Sequence, residues 1–182
     1  MPPKGSVIDE EDLSLKFQKK TQHQHILDLP DTYLGSNQVE KGSYYIYDDE
    51  DQKIIQKDIE IVPGLKNIIE EIMVNAFDNY SRINQKNATI KGKKLESLTT
   101  IKVNLDQDLG EISIYNDGEG IDVAIHPTED IYIPQMIFGE LLTSGNYNKN
   151  EQKITGGKNG YGAKLTNIYS TSFIVETVDK KR

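Results

Sequence analysis

From residue 65 the spacing of apolar positions changes. Ile68, Ile69, Ile72, Met73, Ala76 and Phe77 recur at three- and four-residue intervals, which predicts a helix with one apolar face. Upstream, the run YYIYDDEDQKI at residues 44–54 predicts two short strands around an acidic turn at 48–51, and residues 59–62 predict a further strand ending at Pro63 and Gly64. Downstream, Ile101, Val103 and Leu105 alternate with polar residues, as do Ile112 and Ile114, so the turn at 106–110 closes a hairpin. A second helix is expected over residues 134–142, then a polar Ser/Gly/Asn loop, a glycine-rich loop, a helix over 163–169 and a strand over 173–178. Residues 13–29 carry apolar Leu13, Phe17, Ile26 and Leu27 in a polar background stopped by Pro30, and read as an arm. Residues 81–98 lack sustained periodicity and read as a basic loop. Helices interleaved with hairpin-connected strands point to an α+β sandwich, with helices on one face of a mixed β-sheet.

Composition narrows the function classes. The 182 residues suit one domain, expected over residues 15–182 behind a mobile segment at 1–14. A formal charge of −8 repels nucleic acid and anionic lipid on average, so DNA contact needs a local basic patch. The best candidate is the stretch with Arg82, Lys86, Lys91, Lys93 and Lys94, whose alternative is a plain soluble loop. There is no cysteine, which excludes disulfides, thiolate nucleophiles and Cys-ligated zinc, and favours an intracellular site. The opening MPPKGSV leads into acidic residues without an apolar run, and no stretch of about 18 apolar residues occurs, so neither a secretory signal nor a membrane partner is expected. His23 and His25 lack a third ligand and read as a surface pair rather than a metal site.

Three segments carry chemistry. In EIMVNAFDN, residues 71–79, the side chains of Glu71, Asn75 and Asn79 are four apart and share a helix face roughly opposite the apolar stripe. An Asn carbonyl suits Mg²⁺, and a neighbouring Glu can orient and deprotonate a water; an ordinary solvated face is the alternative. In YNDGEGI, residues 115–121, Gly118 and Gly120 permit close backbone approach and leave Asp117 to accept a hydrogen bond from a donor such as an adenine amino group, unless the segment is a plain turn. In TGGKNGYGAKL, residues 155–165, four glycines open a helix beside Lys158 and Lys164, which makes an anion site. The spacing matches neither the Walker A loop nor the dinucleotide fingerprint.

In this order, with LLTSGNY at 141–147 between the last two, these segments resemble the ATP-binding motifs of the gyrase, heat-shock chaperone, histidine kinase and MutL (GHKL) superfamily. QKKTQHQHIL at 18–27, PDTYLGS at 30–36, VPGL at 62–65 and YIPQMIFGELLTSGNY at 132–147 are similar to the ATPase domain of eukaryotic-type DNA topoisomerase II. The resemblance implies a Bergerat-type pocket for ATP and Mg²⁺, a homodimer that closes on ATP binding, and DNA as partner of the full-length enzyme. It assigns Glu71 as the general base and Asn75 as the Mg²⁺ ligand; Asn79, which shares their face by spacing, is counted with the nucleotide-binding residues. Asp117 matches the adenine reader, and Ser144, Gly145 and Asn146 match the residues that hold ribose and phosphate. Gly157, Lys158, Asn159, Gly160, Tyr161, Gly162, Ala163 and Lys164 match the phosphate-wrapping loop. It also implies a location in the nucleus or another site of DNA replication, or a viral factory or cytoplasm for a source outside cellular eukaryotes.

The chain departs from the pattern at several points. Gly145 stands for a common serine, Lys158 for an arginine, and Phe17 for a tyrosine on the exchanged arm. Lysine keeps the charge and loses the bidentate fork. Residues 84–98 look like an insertion. The transducer and DNA-cleavage domains that follow in the family are not expected within these residues, so slow or absent hydrolysis by this chain alone is expected. Competing readings are a MutL-like or chaperone-like GHKL clamp and a nucleotide-sensing module without catalysis.

Overall fold

A computed structural model describes residues 16–143 and 161–179. The first element, helix α1 (Gln22–Asp28), forms where an arm was expected. Thr21 caps it, its hydroxyl accepting from the Gln24 N–H at 3.2 Å. Pro30 then starts a single-turn helix α2 (Pro30–Tyr33), where a missing N–H costs nothing. Ile26 and Leu34, both buried, project from this corner into the main apolar cluster with Leu165.

Strands β1 (Glu40–Asp48) and β2 (Lys53–Ile61) pair antiparallel, with Ile46 opposite Ile55 and Asp48 opposite Lys53 across the acidic turn. The separate strand expected at 59–62 is the end of β2, because an unbroken ladder runs from Lys53 to Ile61. Pro63 sits in the first turn of helix α3 (Pro63–Thr89), which is 27 residues long. The basic loop expected from residue 81 is therefore helical up to Thr89. Ile83, fully buried, supplies an apolar anchor one turn beyond Asn79 that the charged flanks conceal from a periodicity search. Asn87 then brackets the following turn, accepting the Leu95 N–H at 2.7 Å and donating to the Leu95 carbonyl at 3.0 Å.

Strands β3 (Ile101–Asp106) and β4 (Glu111–Asn116) form the expected hairpin, with Val103 opposite Ile114 and Leu105 opposite Ile112. Gly110, at φ +63°, meets the left-handed turn position. Helix α4 (Ile133–Gly139) and helix α5 (Gly162–Ile168) follow. The fold is α+β, as expected. Among the described residues the strands pair only antiparallel, in two separate hairpins. Residues 173–178, expected as a strand, form none. Thr177 and the following Asp179 tie this end to the chain beyond β4 through side chains: the Ile121 N–H donates to Thr177 Oγ1 at 2.9 Å and the Val123 N–H to Asp179 Oδ2 at 2.8 Å. No backbone ladder forms between them.

Two packing centres position the functional residues. Around Ile26, Leu34 and Leu165, the half-buried Tyr33, Ile68, Leu141, Tyr161, Ile168 and Tyr169 join α1, α3 and α5. Polar ties reinforce this contact, Thr166 Oγ1 donating to the Ile68 carbonyl at 2.9 Å and Tyr169 OH to the Ile26 carbonyl at 2.5 Å. Gln22 Nε2 donates to Tyr161 OH at 2.7 Å, so α1 also holds the residue at the mouth of α5. The second centre lies under the chain after β4, where Ile83 and Leu98 are buried against Gly118. No helix among the described residues is long and apolar enough to cross a membrane.

Candidate functional site

Helix α3 is the spine of the site. Glu71 and Asn79 are half-buried, whereas Asn75 between them is exposed and its amide makes no hydrogen bond among the described residues. This column borders the packed face, a correction to its expected place opposite the apolar stripe. The helix packs on α5 through Ile68 and Glu71, while Val74, Phe77 and Tyr80 remain partly open. A helix of 27 residues contacting different partners along its length cannot keep one apolar and one polar side throughout.

The Glu71 carboxylate lies against Gly162, the first residue of α5. A Cβ at position 162 would overlap Glu71 Oε2 and lie 2.7 Å from its Cδ. Glycine thus leaves room for the Glu71 carboxylate, which any Cβ at this position would push aside. Burial, followed by the nearby Asp78 and Glu70 charges, raises the Glu71 carboxyl above its ordinary value, which makes it a stronger proton acceptor once ionised. From the same helix, Lys164 is buried, and its Nζ donates to the Thr143 carbonyl. Burial lowers its ammonium below the ordinary lysine range. A proton acceptor and a cation are thereby brought to the start of one helix from opposite sides of a 17-residue gap, residues 144–160, in the described chain.

About 12 Å further along α3, at 1.5 Å per residue, Asn79 meets the chain after β4. Its Nδ2 donates to Asn116 Oδ1 at 3.2 Å and to the Glu119 carbonyl at 3.4 Å, while Arg82 donates to its Oδ1 at 2.8 Å. Asn79 therefore ties α3 to the loop that carries Asp117. Gly118 fits beneath it, since a Cβ there would lie 2.9 Å from both Asn79 Nδ2 and Leu98 Cδ1. The Asp117 carboxylate accepts from the Thr99 N–H at 2.8 Å, the Thr99 hydroxyl at 2.5 Å and the Thr100 N–H at 2.9 Å. The Thr99 hydroxyl, then the Thr100 and Thr99 backbone N–H groups, hold this carboxyl down to about 2. No motif pointed to Thr99 or Thr100, because their role depends on the hairpin returning Asp117 beside them.

Tyr161, Gly162, Ala163 and Lys164 stand at the mouth of α5. Ser144, Gly145, Asn146, Gly157, Lys158, Asn159 and Gly160 lie outside the described residues. Phe17 is 72 % exposed, beside Lys16 at 5.7 Å from its ring centroid. His25 serves the fold, with Nδ1 2.9 Å from Tyr33 OH and the rings edge-on at 5.7 Å, and His23 is exposed. Among the described residues no group of three His, Asp or Glu gathers as a metal site.

The family model for histidine kinase-, DNA gyrase B- and HSP90-like ATPases matches residues 60–178, which include α3, the loop after β4 and α5. The chain belongs to this ATPase family. Membership carries ATP binding with it and agrees with the α+β fold. Within the family, the chain is 49 % identical over 171 residues to DNA topoisomerase 2 of Acanthamoeba polyphaga mimivirus, covering 92 % of this chain and 13 % of that protein. It is 47 % identical to DNA topoisomerase 2 of Drosophila melanogaster, over 91 % of this chain and 11 % of that one. The chain thus spans about a tenth of the length of such relatives. Its fold is similar to the crystal structure of the ATPase region of Saccharomyces cerevisiae topoisomerase II, with a TM-score of 0.78 and 49 % identity, covering 87 % of this chain and 39 % of that one. The expected resemblance to the ATPase region of eukaryotic-type topoisomerase II is met.

Proposed function

We propose that this chain is the ATP-binding and ATP-hydrolysing part of a type IIA DNA topoisomerase, in which nucleotide-driven closure of a homodimer is coupled to DNA strand passage. The observation that carries the catalytic part is the Glu71 carboxylate, half-buried against Gly162 at the end of the glycine-rich segment. A carboxylate with raised proton affinity, one helical turn from an amide open to solvent, has the chemistry to take a proton from an attacking water.

In this reading Glu71 orients the water and accepts its proton. Asn75 offers its amide oxygen to Mg²⁺, a hard cation that takes oxygen ligands and retains waters, so one exposed amide beside a carboxylate fits it. Bound Mg²⁺ supplies charge neutralisation across the phosphate oxygens. Asp117 accepts from the adenine amino group, and Asn79 keeps the Asp117 loop in register with the helix. Ser144, Gly145 and Asn146 hold ribose and phosphate, and residues 157–164 surround the phosphates, with Lys164 placing positive charge near the transferred group. No covalent enzyme intermediate is needed, since positioning and charge suffice for phosphoryl transfer to water. DNA and the second protomer are partners of the longer enzyme, which acts inside the cell where DNA is replicated.

The test is calorimetric titration of the chain with a non-hydrolysable ATP analogue, with and without Mg²⁺. Binding should strengthen with Mg²⁺; Asn75→Ala should remove that gain, and Asp117→Ala should weaken binding with or without the metal. A wild-type chain that binds no nucleotide, or an Asn75→Ala chain that keeps the full Mg²⁺ effect, refutes this assignment of the site.

A further inference from the structure

Asp117 is gripped by residues that belong to none of the nucleotide motifs. Its Oδ1 accepts the Thr99 and Thr100 N–H groups, its Oδ2 accepts the Thr99 hydroxyl, and its own N–H donates to the Thr100 carbonyl at 3.2 Å. These bonds close the open end of the β3–β4 hairpin, one residue beyond the Ile101–Asn116 pair. A carboxylate offers about four lone-pair sites. The three donors use three of them and leave one acceptor direction on Oδ2, beside the Thr99 hydroxyl. The backbone donors fix Oδ1 and the hydroxyl fixes the rotation of Oδ2, so the side chain is ordered before a ligand arrives and little ordering cost falls on binding. The same donors keep the group ionised and therefore acceptor-only, with no O–H to offer a base carbonyl.

We propose that Thr99 is a positioning and specificity-determining residue for the nucleotide base: by holding Asp117, it aims the remaining Oδ2 acceptor at an exocyclic amino group. A base bearing a carbonyl at that position sets acceptor against acceptor and is rejected. The proposal rests on the reading of Asp117 as the adenine contact. Within that reading it transfers part of base selection to a residue outside the family's motifs, directly after the insertion-like segment at 84–98. The backbone N–H groups of Thr99 and Thr100 survive any side-chain change there, so the separable contribution is that of the hydroxyl.

The experiment measures affinity for non-hydrolysable ATP and GTP analogues in wild type, Thr99→Val, Thr99→Ser, Asp117→Ala and the Thr99→Val/Asp117→Ala double variant, with circular dichroism as the check on folding. Thr99→Val should weaken ATP binding about tenfold, the scale of one hydrogen bond to a charged group, and narrow the ATP-to-GTP preference by a similar factor. Thr99→Ser should stay within about twofold of wild type, and Thr99→Val should add nothing once Asp117 is alanine. Because Thr99 is exposed, valine is sterically tolerable, and Thr99→Ala gives the same test should valine disturb folding. A purely structural role would weaken ATP and GTP equally, in both backgrounds, and would overturn the proposal. If Asp117→Ala weakens ATP binding while Thr99→Val leaves affinity and base preference intact, the Thr99 role alone fails. If Asp117→Ala has no effect, or the wild type binds neither nucleotide, the underlying reading of the site fails with it.

Discussion

Gly118→Ala tests how closely the loop that carries Asp117 depends on the core beneath it. The added methyl would lie 2.9 Å from Asn79 Nδ2, 2.9 Å from Leu98 Cδ1 and 3.2 Å from Ile83 Cδ1. No single neighbour can yield for all three, since Asn79 and Ile83 sit on α3 and Leu98 is buried on the chain leading to β3. Overpacking of this kind costs about 1–3 kcal/mol. The smaller entropy of the unfolded alanine chain returns about 0.4–1 kcal/mol. A net loss of about 1–2 kcal/mol is expected in urea denaturation followed by circular dichroism, together with weaker ATP-analogue binding as Asp117 is displaced. Gly139→Ala is the control: nothing lies within 4 Å of a Cβ there, at the end of α4, so that variant should be neutral or slightly stabilised. A Gly118→Ala chain as stable as wild type, with unchanged nucleotide affinity, would refute the coupling of loop and core.

Further consequences follow from individual contacts. In the longer enzyme, Glu71→Gln should abolish hydrolysis, measured by phosphate release, while the same change in this chain retains ATP-analogue binding by calorimetry. Because the folded Glu71 carboxyl is raised above its ordinary value by burial and by Asp78 and Glu70, the stability it confers is present at low pH and is lost as pH rises through the raised value. Denaturation midpoints of the Gln variant should therefore gain on wild type between pH 4 and pH 8, by at most about 1 kcal/mol for a partly solvated group, and a pH-independent difference would count against this. Asn79→Ala removes the ties to Asn116 and Glu119 and leaves Arg82 without its acceptor, so it should destabilise by about 1–2 kcal/mol and weaken nucleotide binding without changing Mg²⁺ dependence. Asn87→Ala cuts both bonds to Leu95 and should speed amide exchange in residues 90–98, with ATP-analogue affinity within about twofold of wild type.

Much of the site was legible because its residues lie close together in sequence. Helical spacing alone groups Glu71, Asn75 and Asn79, and the glycine-rich segment before α5 announces an anion site through residue type. The β3–β4 hairpin follows from strict alternation and a turn with a glycine at positive φ. Similarity to the family along most of the chain implies the remaining roles proposed for the site. Other features were not legible. Helix α3 runs to Thr89 because Ile83 finds a buried place against Gly118 and Leu98, a contact made by residues far apart in sequence. Helix α1 exists because Ile26 is buried against Leu165 and Tyr169 takes the Ile26 carbonyl, which no local pattern in residues 18–29 reveals. Residues 173–178 carry the apolar run Phe173, Ile174 and Val175 that suits a strand, yet this end of the chain binds its neighbours through the Thr177 and Asp179 side chains rather than a ladder.

The sequence by itself determined which chemical groups are present and their order: one carboxylate and two amides at helical spacing, an acidic residue before two glycines, and lysines beside a glycine-rich segment. These depend on covalent neighbours and on backbone periodicity. Only the tertiary structure decided what each group faces. Long-range packing set Glu71 against Gly162, returned Asp117 to Thr99 and Thr100, and spent Asn79 on the loop rather than leaving it open like Asn75. Burial and hydrogen bonding then moved two carboxyl groups in opposite directions, Glu71 up by desolvation and Asp117 down to about 2 by its donors. Identical chemistry acquires opposite proton affinity because solvation and donor geometry belong to the folded surroundings.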